Sequence, residues 1–190
     1  MTKAVLGIIG GSGIYDLPGL ENVREEAVAS PWGEPSAPLR RGEMAGLPIV
    51  FLPRHGPGHA LSPSDINYRA NIDVLKRAGV TDLVALSACG SFKEELPPGT
   101  FVLVDQFVDR THKRECSFFG KGCVAHVSMA HPVSPLLVKH LAAAAEAEAA
   151  DLQADREERG EGRRRRERRR RGGGGHQAAS LAPASLAARR

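Results

Sequence analysis

Residues suited to holding an anion occur at three separate points of the sequence. Ser12 lies in the glycine loop 10–13, where small residues let backbone N–H groups approach an anion and the hydroxyl adds a donor. Arg54 offers the planar fork that suits phosphate, and the adjacent His55 can donate or accept near neutral pH. The third stretch, 87–91, combines small residues with hydroxyls. Together the three stretches predict an anion-binding site.

Each stretch also has a simpler explanation. The glycines fit a tight turn after a strand, and Arg54 with its histidine fits a solvated strand end. Two phosphate motifs are excluded, because a dinucleotide fingerprint needs glycine where Asp16 stands and a Walker A loop needs Gly-Lys-Ser/Thr, which never occurs. The third stretch lacks the Gly-x-Ser-x-Gly pattern of hydrolases, and we expect Cys89 to be a small buried residue rather than a nucleophile.

The histidines do not form a metal-binding pattern. His59 follows His55 by four residues, but glycine and proline intervene, so the two are not a helical ligand pair. No carboxylate completes a ligand set, and we expect no metal. His126 and His131 flank an apolar stretch, and the residues alone favour a structural role for each.

The elements that must position these residues follow from apolar runs and turn chemistry. Residues 62–65 offer N-cap chemistry for a helical pattern that runs to Ala78, with Gly79 as C-cap. A strand, this helix and a strand form a βαβ unit, which predicts an α/β fold with a mostly parallel twisted sheet flanked by helices. Ligands collect at the carboxyl ends of such strands, so the three stretches form one site if their strands are neighbours. The predicted strands are 4–9, 47–52 and 82–86.

The rest of the chain divides at about residue 150. A further strand is predicted over 100–104 with 107–108, and Ser134 with Pro135 begins a helix that runs to Ala150. Beyond Asp151 there is no Val, Ile, Phe, Tyr or Trp. We therefore predict a folded domain over 1–150 and a disordered Arg/Gly/Ala-rich tail over 151–190.

Charge and composition exclude several classes. The formal charge of +4 combines a tail of net +6 with a body of net −2, so the basic pI belongs to the tail. Arg163–Arg171 is suited to nonspecific nucleic-acid binding at most, since no aromatic residue is interleaved. No run reaches the roughly 18 apolar residues of a membrane span, and the start lacks a signal-peptide pattern. Three cysteines without metal spacing indicate reduced thiols and a cytoplasmic protein.

Six motifs in order closely resemble the 5′-methylthioadenosine phosphorylases of the purine nucleoside phosphorylase family. The likeness covers residues 1 to about 148. The motifs are GIIGGSGI at 7–14, RHG at 54–56, NYRANI at 67–72, SACGS at 87–91, DQFVDRT at 105–111 and HVSMA at 126–130.

The resemblance implies a pentosyltransferase of purine and methionine salvage. Inorganic phosphate, a co-substrate rather than a cofactor, would attack the anomeric carbon of a 5′-methylthio-nucleoside and release the purine and a ribose 1-phosphate. In the family, a histidine matching His126 reaches a neighbouring subunit's 5′ pocket in a homotrimer, which implies substrate binding for His126. No other cofactor is implied. The residues that match the family's phosphate site are Ser12, Arg54, His55, Ser87 and Ala88.

The family pattern stops after the helix that ends at Ala150. Family members continue with a Glu-Gly-Pro segment, a Met-Thr pair and an Asp-Tyr-Asp segment, which holds the acid that protonates the purine, so no catalytic acid is assigned here. We expect a sheet incomplete on its C-terminal side and absent or very weak activity. An out-of-frame reading of a GC-rich gene would explain the tail. Two alternatives stay open: a 6-oxopurine nucleoside phosphorylase, and a non-catalytic binding protein that acts through its basic tail.

Overall fold

The structure, a computed structural model, describes residues 3–11, 13–115 and 117–149. Ser12, Cys116 and the predicted tail over 151–190 lie outside the described residues, so the predicted tail and its boundary stay predictions. The elements are β1 (Leu6–Gly10), β2 (Glu21–Glu26), β3 (Leu39–Met44), β4 (Leu47–Pro53), α1 (Tyr68–Arg77), β5 (Asp82–Ala85) and α2 (135–149).

The chain forms two units. The first comprises Met1–Gly90 and Asp109–His126 and contains the sheet with α1. The second comprises Ser91–Val108 and the chain from Val127 onward, and contains α2. A short 3-10 helix also spans Pro57–His59, and no helix in the described ranges is long and apolar enough to cross a membrane.

The sheet has five strands in the order β2-β3-β4-β1-β5. Strands β4, β1 and β5 are parallel, while β2 pairs with β3 and β3 with β4 in antiparallel fashion. The α/β class and the three predicted strands are confirmed, with ends shifted by one or two residues. Strands β2 and β3 are additions that make the sheet mixed. Their sequences, ENVREE and LRRGEM, lack the apolar run that marked the other strands.

The hairpin between β3 and β4 has a two-residue turn. Ala45 and Gly46 both have positive φ, at 49° and 76°, which is the backbone geometry of a type I′ turn. The paired ends are Met44 and Leu47. This turn places β4 between β3 and β1, so β4 is covered on both edges.

The core lies between β4 and α1. Val50 and Leu52 alternate with Ile49 and Phe51 along β4, so both faces of the strand are buried. Each such side chain contributes roughly 1.5–3 kcal/mol when fully buried. The main cluster contains Ile9, Ala37, Leu39, Val50, Leu52, Val74, Leu75, Ala78 and Val80.

Helix α1 begins later than predicted. Its N-cap is Asn67, whose Oδ1 accepts from the backbone N–H of Ala70 at 3.1 Å. Residues 63–65 instead form a turn, because the Ser62 hydroxyl donates to Asp65 at 2.5 Å rather than to a helix end. The predicted end is confirmed, since α1 stops before Gly79, whose N–H donates to Lys76 O at 3.0 Å.

The strand predicted over 100–104 with 107–108 is wrong. The structure has no strand there, and the side chains of Phe101, Val102 and Val104 are exposed. The segment makes no ladder in the described chain, and a β-strand needs a partner for its N–H and C=O groups. In contrast, the start of α2 is confirmed, because Ser134 Oγ accepts from Leu137 N at 3.3 Å and Pro135 takes the first helical position.

Candidate functional site

Two of the three predicted loops are joined to β1 by a backbone hydrogen bond at the point where each loop leaves the sheet. The N–H of Arg54, directly after β4, donates to Gly10 O at 3.0 Å. The N–H of Leu86, directly after β5, donates to Ile9 O at 2.9 Å. Because β4, β1 and β5 are parallel neighbours, all three carboxyl ends lie at one edge of the sheet.

The side chain of Arg54 reaches across the end of β1. Its Nη1 donates to Ser87 Oγ at 2.8 Å, which joins the loop after β4 to the loop after β5. Among the described residues, no carboxylate lies within ion-pair distance of Arg54. The guanidinium is half-buried, and its charge is available to an anion at this edge.

The glycines of the first loop make this reach possible. A Cβ on Gly11 would lie 2.4 Å from Leu86 O and 3.0 Å from Arg54 Nη2. A Cβ on Gly10 would lie 2.4 Å from Ile14 O. Real Cβ atoms do not approach backbone oxygens so closely, so only glycine fits either position without a backbone shift. Ser12, between them and Gly13, lies outside the described residues, and its predicted role stays a prediction.

His55 is buried and fixed in one orientation. Its Nδ1 lies 2.9 Å from Leu61 O, and because a carbonyl only accepts, Nδ1 carries the proton. Arg54 Nε donates to the other ring nitrogen, Nε2, at 3.4 Å, so Nε2 is the acceptor in this contact. The backbone repeats the link, since the Leu61 N–H donates to His55 O at 3.0 Å. The imidazole is thus held against the arginine rather than free in a loop.

Two further side chains adjoin His55 that the sequence did not single out for this site. The ring of His59 stacks on His55 with centroids 4.2 Å apart, and the Tyr15 hydroxyl lies 2.9 Å from His59 Nδ1. The available indication was the Pro57-Gly58 pair, because Gly58 with φ 66° turns the chain so that His59 returns toward His55. Nothing in the sequence around Tyr15 pointed to this contact.

The third loop is open. Ser87 and Ala88 are exposed, and only the Ser87 hydroxyl has a described contact with Arg54. The expectation that Cys89 is buried is wrong, because the loop after β5 extends past the sheet and leaves the thiol exposed. Cys123 is also a free, exposed thiol.

His126 is exposed at the end of the first unit. No hydrogen bond or ring contact given for the described ranges joins it to Arg54, His55 or Ser87. Its role in substrate binding stays a prediction. In the same ranges, no three His, Cys, Asp or Glu side chains gather into a group that could hold a metal ion.

Two carboxyl groups of the first unit, those of Asp73 and Asp109, have a lowered pKa. A hydrogen bond from Arg77 lowers the pKa of Asp73 below its ordinary value, with a further contribution from Ser30. Hydrogen bonds from the side chain and backbone of Thr111 lower the pKa of Asp109. Neither carboxyl contacts the loops at the sheet edge, so both are local features of α1 and of the chain after Val108.

Curated relatives and solved structures resemble this chain over about three quarters of its length. S-methyl-5'-thioadenosine phosphorylase of Bradyrhizobium diazoefficiens is 86% identical over 148 residues, which are 78% of this chain and 51% of that protein. The Rhodospirillum rubrum protein of the same name is 65% identical over 135 residues, 71% of this chain and 46% of that one. The chain therefore spans about half the length of the curated relatives it matches.

Structural likeness agrees with the sequence likeness. A methylthioadenosine phosphorylase from an antarctic soil metagenomic library has a TM-score of 0.68 and 47% identity, over 73% of this chain and 48% of that chain. The Schistosoma mansoni methylthioadenosine phosphorylase in complex with tubercidin has a TM-score of 0.73 and 42% identity, over 77% and 54%. The family model described as Phosphorylase superfamily matches residues 5–156. The resemblance found in the six motifs is confirmed, and the chain belongs to the phosphorylase superfamily.

Proposed function

We propose that the edge formed by β4, β1 and β5 binds inorganic phosphate. The observation that carries this proposal is the 2.8 Å bond from Arg54 to Ser87 across the glycine loop, with no carboxylate of the described chain paired to the arginine. Arg54 supplies charge and a donor fork, and the Ser87-Ala88 loop and Ser12 supply further donors. His55 borders the arginine and can donate to a phosphate oxygen only when Nε2 is protonated.

We further propose that the bound phosphate cleaves 5′-methylthioadenosine, as the names of the relatives suggest. A phosphate oxygen forms a bond to C1′ of the ribose while the C1′–N9 bond breaks, and the electron pair of that bond passes to the adenine, which takes up a proton. The products are adenine and 5-methylthioribose 1-phosphate. The site's task is to place the anion beneath the sugar and to stabilise positive charge that develops there.

Other parts of the proposal rest on the family resemblance. The protein would be a cytoplasmic homotrimer, in which His126 of one subunit enters the 5′ pocket of its neighbour. Phosphate would be the co-substrate, with no further cofactor. The acid that protonates the purine is not assigned to a residue of this chain. The part of the site that we propose for this chain is therefore its phosphate-binding part.

Phosphate titration of the purified chain tests the site. Arg54→Ala should weaken phosphate binding roughly ten- to hundredfold, because a charge-assisted contact is lost. Arg24→Ala is the matched control. It removes the same charge from β2, the exposed outermost strand on the far side of β3, and should leave the affinity unchanged. Equal affinities for wild type and Arg54→Ala would refute the phosphate site.

A chimera tests the reaction. Residues 1–148 of this chain, joined to the second half of the Bradyrhizobium diazoefficiens relative, should release adenine from 5′-methylthioadenosine only when phosphate is present. The same chimera with Arg54→Ala should lose most of this rate. Adenine release by the chimera at the same rate with and without phosphate would refute the proposed reaction.

A further inference from the structure

The loop that begins at β1 carries a tyrosine held in place from two sides. The Tyr15 carbonyl accepts from Arg40 Nη1 at 3.1 Å, and the same nitrogen lies 3.3 Å from the Asp16 carboxylate. Arg40 belongs to β3, so a strand two places from β1 fixes the backbone on which Tyr15 stands. The Tyr15 hydroxyl then reaches His59 Nδ1 at 2.9 Å, and the two rings meet edge-on with centroids 6.0 Å apart.

His59 occupies a backbone conformation that costs energy. Its φ of 60° is in the left-handed region, which is strained for a residue with a side chain. The contacts of its ring are those that compensate this cost: the Tyr15 hydroxyl on one atom and the face of His55 at 4.2 Å. His59 is exposed and His55 is buried, so the outer ring covers the inner one.

These contacts form one chain of groups from β3 to the arginine. Tyr15 holds His59, His59 stacks on His55, and His55 presents Nε2 to Arg54. The Leu61 carbonyl fixes one atom of the His55 ring, and the stacked face of His59 restricts rotation about that bond. Without the outer ring, the imidazole is held only at its two nitrogens, by the Leu61 carbonyl and by Arg54 Nε, and its face is uncovered.

We infer that Tyr15 is a positioning residue, whose hydroxyl keeps His59 stacked on His55 and thereby prepares the Arg54–His55 pair for the anion. The inference rests on the proposed phosphate site and deepens it. A site that is ordered before the ligand arrives binds more tightly, since less freedom is lost on binding. No hydrogen bond among the described residues joins Tyr15 to Arg54 or Ser87, so its effect is carried by the two histidine rings.

The test compares Tyr15→Phe with Tyr68→Phe in the full 190-residue chain. Both remove one phenol hydroxyl, but that of Tyr68 donates to Pro63 O at 3.0 Å and accepts from Arg114 Nη1 at 3.3 Å, and it contacts neither histidine ring through a described hydrogen bond. The first measurement, made without phosphate, is the exchange with water of the His55 ring N–H in 15N-edited spectra, with His55→Gln to assign the signal. The second is the affinity for inorganic phosphate.

Tyr15→Phe should speed the exchange and weaken phosphate affinity, each roughly two- to tenfold, as expected for one hydrogen bond. Tyr68→Phe should match wild type in both. His59→Phe keeps an aromatic ring but loses Nδ1, so it should resemble Tyr15→Phe, and the double variant should show no additional loss.

An unchanged exchange rate in Tyr15→Phe overturns the inference, as does an unchanged phosphate affinity beside a faster exchange. Additive losses in the double variant overturn the route through His59. If wild type binds no phosphate, the proposed function fails and with it the role toward the anion. The exchange arm then still decides whether Tyr15 orders the His55 ring, so the two failures are distinguishable.

Discussion

Two segments of similar composition differ in their structure: one is a buried strand, and the other is exposed and forms no strand in the described chain. Strand β4, LPIVFLP, lies between β3 and β1, and its Phe51 is 0% exposed. Residues 100–104, TFVLV, are just as apolar, yet they form no strand in the described chain and Phe101 is 80% exposed. The difference is the presence of partners: β4 has a ladder on each edge and α1 against one face, whereas residues 100–104 have neither.

An apolar run therefore becomes a buried strand only where other parts of the chain pair with its backbone and cover its side chains. Backbone ladders join β4 to β3 on one edge and to β1 on the other, and its side chains on both faces are removed from water. The segment from residue 100 through Thr111 has side-chain bonds that close local turns instead, such as Thr100 to Pro97 and Thr111 to Asp109. Three matched pairs of substitutions measure how far this contrast extends to stability.

The largest contrast is expected for the two phenylalanines. Phe51→Ala should destabilise the chain by about 3–5 kcal/mol, because it opens a cavity in a fully buried strand. Phe101→Ala removes the same atoms from an exposed position and should change stability by no more than about 0.5 kcal/mol. Urea unfolding of both variants measures the difference. Equal losses would mean that residues 100–104 are packed in solution, and the contrast would fail.

A smaller contrast is expected for two amides. Asn71 is buried, and it accepts from the Ser36 N–H at 2.8 Å and donates to the Ser36 hydroxyl at 2.9 Å. Asn71→Ala should cost about 1–3 kcal/mol, since Ser36 keeps two buried polar groups without partners. Gln106 donates to the carbonyls of Met129 and Ala130 but is exposed.

Gln106→Ala should therefore stay within about 0.5 kcal/mol of wild type, because water replaces the lost contacts. The same urea unfolding curves serve for both amide variants. A loss for Gln106→Ala as large as that for Asn71→Ala would show that the second unit is as tightly ordered as the sheet. The burial of the amide would then not be what decides the effect.

The smallest contrast is expected for the two carboxyls with lowered pKa, and it depends on pH. Arg77 holds the pKa of folded Asp73 below the unfolded value of about 3.9. Its stabilising contribution is therefore complete above that value and is lost as the pH falls through the lowered pKa. Asp73→Asn should be less stable than wild type at neutral pH, and this deficit should shrink in acid.

Asp109 is the matched case, because Thr111 lowers its pKa through bonds within one turn. A bond between residues two apart forms readily in an unfolded chain as well, so Asp109→Asn should shift the thermal midpoint less than Asp73→Asn. Thermal unfolding at neutral pH and at about pH 2 measures both, because the lower pH lies well below the ordinary pKa of an aspartate. A larger shift for Asp109→Asn would reverse the ranking.

The site was predictable in its parts but not in its assembly. Arg54, His55 and the Ser87 loop were evident because polar and small residues directly follow apolar runs. Tyr15 and His59 were not assigned to the site, because their meeting depends on a left-handed turn at residues 58–59 and on Arg40 of β3. Strand β3 itself was missed, since its polar residues are held by pairing rather than marked by composition.

The sequence by itself determined the three apolar strands β1, β4 and β5, helix α1 with its glycine stop, and the family. These follow from local preferences: apolar runs, a glycine after a helix, and motifs in a fixed order. Only the tertiary structure decided that Asn67 caps α1, that residues 100–104 stay exposed and that Arg54 reaches Ser87. The reason is physical: caps, burial and cross-strand bonds depend on which distant backbone lies alongside, and a single run of residues does not specify its neighbour.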